Sequence, residues 1–368
     1  MTKIGIDANS MMNDRGGVGW HTYYLLRAML ELSDDVSFAA YVQPGTMQRR
    51  GKEPWMQSAA VRWIESGRWG RRWRSRLDGL DLYHGPNFKL HTTGRYGGVV
   101  TIHDLWLDRH PEYSKKFFGQ NRASRRAKRT ARAARAVITV SHFSARELMA
   151  LYDIPAEQVH VIPNGVSEEF LPLRDQAAIG LLRARLGLGA GPYLLFVGGA
   201  DPRKNHRTFL GAVALRRKEL SRFTLVLVGS ATDRFGNFNE SAREFELERQ
   251  VVCTGRLPIQ DIRLLYSYAH LFIYPSLYEG FGMPVLEAMA CGAPVVTSAS
   301  TALGEVAGDA AVLVDPEDPS ALAADIVRLS EDEALRATMR QRGFERIKQF
   351  TWQQAAAQTL SLYRELCR

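Results

Sequence analysis

Short apolar, β-branched runs alternate with helical stretches along almost the whole of this 368-residue chain, and that alternation constrains its fold more than any other feature. Candidate strands are Lys3–Asp7, Val36–Val42, Gly98–Ile102, Ala136–Val140 and Gln158–Ile162, then Tyr193–Val197, Thr224–Val228, Val251–Thr254, Leu271–Tyr274, Pro294–Thr297 and Ala311–Val314. A strand that is apolar on both faces must be covered on both faces, so helices between such runs indicate parallel sheets in an α/β fold. The length is too great for one ordinary core and suits two domains. A polar stretch, Ser167 to Pro192, separates the two series and predicts a linker.

Other classes are excluded by what the chain lacks. No run approaches the roughly 20 apolar residues of a membrane span, and the start, MTKIGIDANS, carries no cationic-then-apolar signal pattern. Cys253, Cys291 and Cys367 are too scattered for a disulfide framework or a zinc site. A cytoplasmic location is therefore expected. Charge is distributed unevenly. Residues 1–170 hold 25 Lys and Arg against 17 Asp and Glu, a net of +8, leaving +1 of the chain's +9 for the remainder.

Residues 271–297, LFIYPSLYEGFGMPVLEAMACGAPVVT, are the most informative segment. A strand ends at Pro275, Pro284 suits the first turn of a helix, and Gly292 with Pro294 stops that helix. The loop Glu279-Gly-Phe-Gly-Met283 therefore lies at a strand's carboxyl end and a helix's amino end, where open α/β sheets bind ligands. Free helix N–H groups and glycines let the backbone approach an anion or a sugar hydroxyl closely.

At this loop, Glu279-GFGMPVL-Glu287, the chain resembles the retaining GT-B glycosyltransferases that carry a Glu, seven residues, then Glu; GGVG (16–19), IHDL (102–105) and PRKN (202–205) together resemble the mannosyl- or rhamnosyltransferases among them. VSHFSARELMALYDIPAEQVHVIPNGV (140–166), VGGADPRKNH (197–206), TIHDL (101–105) and Phe350-Thr-Trp352 extend that resemblance over essentially the whole chain. It implies two Rossmann-like domains with parallel sheets facing across a cleft: an acceptor domain over 1–170 joined by a C-terminal helix at 352–368, a linker at 171–192, and a nucleotide-sugar donor domain over 193–350.

Arg203 and Lys204 follow the strand Tyr193–Val197 and fit either a solvated helix start or, as the resemblance implies, the donor pyrophosphate, whose charge they would neutralise beside Gly199. Glu287 is placed in the first turn of its helix, where it either complements the dipole or accepts bonds from ribose hydroxyls. The resemblance puts Glu279 nearer the transferred sugar, with the N–H groups of Phe281, Gly282 and Met283 reaching its hydroxyls. It also puts His103 against that sugar, with Asp104 beside it, whereas a lone histidine is otherwise a structural residue. Asp14-Arg-Gly-Gly-Val-Gly19 precedes a helix predicted over Trp20–Leu32 and reads as a flexible loop or a phosphate- or acceptor-approaching one through Gly17 and Gly19. Trp20 stands where many relatives carry Arg.

No metal site is apparent, since Val314-Asp-Pro-Glu317 resembles the family's turn into a helix rather than a metal-holding Asp-x-Asp. No cofactor is expected; the nucleotide sugar, GDP-mannose as first choice, is a substrate. Arg68, Arg71, Arg72, Arg74 and Arg76 interleave with Trp69 and Trp73, and Arg122, Arg125, Arg126, Arg129 and Arg132 share one helix face. These clusters predict either a solvated cationic surface or peripheral docking on an anionic membrane, its inner face, toward a lipid-linked glycan acceptor. A sugar-nucleotide epimerase shares the architecture. A basic nucleic-acid-binding protein would explain the charge, but no aromatic platform or helix-turn-helix pattern accompanies it, so nucleic acid is not an expected partner.

Overall fold

A computed structural model describes residues 1–12, 16–50, 53–67, 70, 77–113, 122–233 and 236–368, with the side chains of 49 and 50 excepted. Asp14 and Arg15, and the Arg/Trp cluster at 68–69 and 71–76, lie outside the described residues. The chain divides into two compact units, Met1–Gly165 with Phe350–Arg368, and Val166–Gln349.

The first unit is built on a seven-stranded sheet: β1 (Thr2–Asp7), β2 (Val36–Val42), β3 (Val61–Glu65), β4 (Leu82–Gly85), β5 (Gly98–Ile102), β6 (Ala136–Thr139) and β7 (Val159–Val161), in the order β3-β2-β1-β4-β5-β6-β7. Every pairing is parallel, with Ile4 opposite Phe38 and Thr101 opposite Ile138. All of β5 is buried, as a run apolar on both faces requires. The strand order reverses between β1 and β4, the switch point where ligand crevices form. β3 and β4 had no counterpart among the sequence expectations. β3 is an edge strand whose polar residues face out, and β4 is only four residues long and contains His84.

Helix α1 (Gly17–Leu32) packs against the C-terminal helix Trp352–Leu366. Thr351 starts the latter helix with a capping box: its hydroxyl accepts from the Gln354 N–H, and the Gln354 side chain accepts from its backbone. Arg364 then grips Asp35 through two bonds of 2.9 and 2.7 Å. The return of the last residues to the first unit is thus fixed by a cap, a packed face and an ion pair. Two further helices follow β5 and β6, α2 (Arg122–Ala133) and α3 (His142–Tyr152).

The second unit holds a six-stranded parallel sheet: β8 (Tyr193–Val197), β9 (Thr224–Val228), β10 (Val251–Gly255), β11 (Leu271–Tyr274), β12 (Val295–Ser298) and β13 (Ala311–Val314), in the order β10-β9-β8-β11-β12-β13. Its order reverses between β8 and β11. The expected linker is not one. The chain passes between units at Gly165, and residues 176–186 of that stretch form helix α4 (Gln176–Leu186), capped by Asp175 and ended by Gly187 in the left-handed region. Ile179 and Leu182 bury one face of α4 at helical spacing, and it packs on α6 (Ile259–Tyr268). Between them in sequence runs α5 (His206–Leu215), and α7 (Met283–Ala290) follows β11.

Candidate active site

In the second unit the carboxyl ends of β8 and β11 bring together Arg203, Lys204 and Glu279. Residues 202–204 form a tight turn after β8, opened by Asp201, whose carboxylate accepts from the Arg203 N–H at 2.9 Å. Asn205 closes the turn in the left-handed conformation and starts α5. Its amide donates to the carbonyls of Pro275 and Pro316 at 2.9 and 2.7 Å, fastening the turn to the loops after β11 and β13. The Arg203 carbonyl accepts from Leu277 N–H and the Ser276 hydroxyl, each at 2.8 Å. The two cations are therefore set on a turn stitched to the acidic loop.

Lys204 Nζ donates to Glu279 Oε1 at 2.5 Å, and the same oxygen accepts from Tyr274 at 2.7 Å and Ser276 at 3.0 Å. Both side chains of the ion pair are largely buried, 17% and 10% exposed. Burial pushes the Glu279 carboxyl up, but the Lys204 and Arg203 charges and its hydrogen bonds outweigh that and hold it below its ordinary value. Burial lowers Lys204 against the pull of Glu279. Lys204 and Glu279 thus meet as one buried pair. Arg203 lies within 3.7 Å of Asp201.

Glu287 departs from its expected place. Helix α7 begins at Met283, which puts Glu287 in the second turn, beyond the reach of a dipole-complementing role at the amino end. Its carboxyl accepts from Tyr266 at 3.3 Å, and burial raises it to about 7 against that bond. Phe281, Gly282 and Met283 do form the entry to α7. Gly282 sits at φ +113, a backbone conformation that favours glycine, and a Cβ there would push on the end of the Leu303 side chain at 2.6 Å. Gly199 follows β8 in the loop whose next residue, Ala200, bonds to Ser230.

In the first unit His103 and Asp104 directly follow β5. The His103 ring is buried, donates Nε2–H to the Pro86 carbonyl at 2.8 Å, and is lowered by burial, so it is neutral. Its carbonyl accepts from Ser144 at 3.4 Å. His21 packs edge-on against it at 4.6 Å between centroids and donates Nδ1–H to Asn164 at 2.7 Å, while His21 Nε2 has no hydrogen-bond partner among the described residues. His84 is buried nearby, bonded to Tyr363 at 2.6 Å and Thr101 at 2.8 Å and lowered by burial to about 3. Gly17 and Gly19 are already helical: α1 starts at Gly17 after extended Gly16, so they line a helix's first turn rather than a loop.

Sequence reasoning missed Tyr274, Ser276, Asn205, Tyr266 and the His21–Asn164 pair. The hydroxyls of Tyr274 and Ser276 flank Pro275 at a strand end, a legible signal; His21 and Asn164 lie 143 residues apart and give none.

Residues 15–170 match the Glycosyltransferase Family 4 profile and residues 182–346 match Glycosyl transferases group 1. The O-antigen chain mannosyltransferase B of Escherichia coli is 35% identical over 290 residues, 77% of this chain and 74% of that protein. The chain belongs to the GT-B glycosyltransferases. Sucrose-phosphate synthase from Thermosynechococcus elongatus shares the fold at a TM-score of 0.78 and 22% identity, over 100% of this chain and 99% of its own. HepE of Anabaena, solved with UDP-glucose, does so at a TM-score of 0.72 and 21% identity, over 98% of this chain and 99% of its own. As a glycosyltransferase, the protein transfers a glycosyl group from a donor to an acceptor. No helix among the described residues is long and apolar enough to cross a membrane.

Proposed function

We propose that the protein is a retaining hexosyltransferase that moves mannose from GDP-mannose to a lipid-linked or polysaccharide acceptor in surface-glycan synthesis, without a metal. The observation that carries this reading is the Arg203 turn fastened to the Lys204–Glu279 pair, at the switch point of the second sheet. An arriving diphosphate competes with Glu279 for Lys204, and Arg203 adds a second fixed cation, so charge on the leaving group is met by the chain itself. Release of Lys204 leaves Glu279 with the hydroxyls of Tyr274 and Ser276 and an acceptor lobe for sugar hydroxyls. Glu287, ionised on binding, accepts from the ribose. In the transfer, the bond from C1 to the diphosphate breaks, the acceptor oxygen bonds to C1 on the same face, and its proton passes to the departing phosphate.

Mannose is supported by the Escherichia coli relative, an O-antigen chain mannosyltransferase. Docking on the inner face of the membrane is supported by helix α2, whose Ala127 and Ala131 are buried while Arg122, Arg125, Arg126, Arg129 and Arg132 are exposed. Thermal unfolding in GDP-, UDP-, ADP- and dTDP-sugars tests the donor. At one hundred times Kd a bound donor stabilises by about 2.7 kcal/mol. GDP-mannose should raise the melting temperature most, and a larger rise with UDP-sugars would overturn that choice.

A further inference from the structure

The first unit buries His21, His84 and His103 close together. His84 is accounted for as a core residue, since Tyr363 and Thr101 take its two nitrogens. His21 is not. Its Nδ1–H is satisfied by Asn164, but Nε2 is buried without a hydrogen-bond partner among the described residues, a penalty that a phenylalanine of similar shape would not carry. Packing alone therefore does not explain a histidine there, and its neighbours do. The ring meets His103 edge-on at 4.6 Å and lies 5.8 Å from the ring of Trp352. Asn164 and Trp352 flank the two points where the chain changes unit, after Gly165 and before Phe350. Those points touch. A Cβ on Gly165 would lie 2.1 Å from the Trp352 nitrogen, so only glycine lets the two backbones approach so closely. One ring thus joins His103 to both crossings.

What His103 can do is set by its partners. A carbonyl only accepts, so Pro86 holds the His103 proton on Nε2 and leaves Nδ1 a lone pair. Such a ring accepts a hydrogen bond from a hydroxyl and cannot donate one through Nδ1. The direction of that lone pair depends on the tilt of the ring, which is packed by Phe88 at 5.6 Å and His21 at 4.6 Å. We propose that His21, held by Asn164, is a positioning residue for glycosyl transfer that fixes the tilt of His103, so that Nδ1 accepts from a hydroxyl of the transferred sugar. His21 acts only through His103, because its own second nitrogen is buried. The inference rests on the reading of His103 as a sugar contact, and it adds the residue pair that aims it. The titratable groups of the cluster are His84 on β4, His103 and Asp104 after β5, and Tyr363 on the C-terminal helix. Burial and the two neighbouring imidazoles hold His21 well below its ordinary value, and Asp104 acts on His103. A carboxylate at position 164 would oppose that and favour a charged His21.

The test uses the full chain as wild type, His21→Phe, Asn164→Ala and Asn164→Asp. NMR of isotope-labelled histidine reads the ring nitrogens in the free protein, and steady-state kinetics follow GDP-mannose with a mannose-terminated oligosaccharide. Wild-type His103 should show the single Nε2–H tautomer, unchanged between about pH 6 and about pH 8. His21→Phe and Asn164→Ala should move the His103 ring signals and lower kcat by roughly tenfold or more, with KM for GDP-mannose within about threefold of wild type. Asn164→Asp should give His21 a titration in that pH range, followed by the His103 signals, and an acid limb in kcat that the wild type lacks. It carries the test by itself if His21→Phe does not fold. A merely structural His21 would lower the melting temperature of these variants and leave the His103 signals and the pH profile as in the wild type. That result overturns the proposal, as does wild-type kcat in a folded His21→Phe. A wild type that does not turn over GDP-mannose contradicts the donor reading instead, and the NMR then decides alone. His103 signals that move in His21→Phe or titrate in Asn164→Asp support the proposal, and signals that do neither overturn it.

Discussion

Replacing Lys204 with Met removes one partner of a buried ion pair and keeps most of the side chain's volume. Glu279 retains Tyr274 and Ser276 on Oε1 but loses its nearest charge. Breaking such a pair costs about 3–5 kcal/mol, because the remaining ion stays buried. The side chains are still 17% and 10% exposed, which favours the lower end, about 3 kcal/mol. For a unit of this size that lowers the melting temperature by roughly 6–12 °C. The pH dependence has a definite sign. In the wild type the Glu279 carboxyl lies below its ordinary value, so its stabilising contribution is present above the unfolded value and is lost as pH falls through the folded one. Without Lys204 the carboxyl moves up, and burial then disfavours its charged form. The gap between wild type and variant should therefore widen as pH rises from the ordinary carboxylate range, about pH 4, toward neutrality. Removing both charges, Lys204→Met with Glu279→Gln, should recover part of the loss at neutral pH. Scanning calorimetry across pH reads all three. A Lys204→Met protein that melts with the wild type at neutral pH, or a double variant that loses as much again, would refute the paired arrangement.

Arg203→Ala should lower turnover by one or more orders of magnitude with little change in melting temperature, because its charge faces the leaving group; near-normal steady-state rates would contradict the assignment. Glu287 is raised to about 7, so its contribution to stability is present below the unfolded carboxylate value and lost as pH rises through about 7. Glu287→Gln should abolish that slope in calorimetry, and Glu287→Ala should weaken GDP by roughly tenfold in titration, whereas Glu279→Ala should spare GDP and reduce turnover. Activity should survive excess EDTA, and a requirement for magnesium or manganese in the rate would contradict metal independence. Vesicles containing anionic lipid should co-sediment the protein at low salt and release it as the Debye length shrinks from about 10 Å at 0.1 M to 3 Å at 1 M. Arg125→Ser with Arg129→Ser should weaken that binding, and equal binding would leave α2 a solvated face.

The parallel sheets were legible because β5, β8, β9 and β11 are buried on both faces and so are written as continuous apolar runs. β4 was hidden because its His84 is polar in composition but fully bonded in place, to residues 17 and 279 positions away. Helix α4 was legible in hindsight: Asp175, Ile179, Leu182 and Gly187 are its cap, its face and its stop, but flanking prolines and charges resemble a linker. The acidic loop was located correctly from Pro275, Pro284 and Gly292, yet Glu287 was set in the first turn, whereas a helix that begins at Met283 carries it into the second. The pairing of Lys204 with Glu279 spans 75 residues, and no local spacing encodes it.

The central claim is retaining transfer of mannose from its guanosine diphosphate donor by the site at β8 and β11. Proton NMR of a reaction containing GDP-mannose and a mannose-terminated oligosaccharide tests it most directly. The account predicts release of GDP with a new anomeric signal of the same configuration as the donor, abolished in the Arg203→Ala, Lys204→Ala double variant. A product of inverted configuration, or full turnover in that variant, would contradict it.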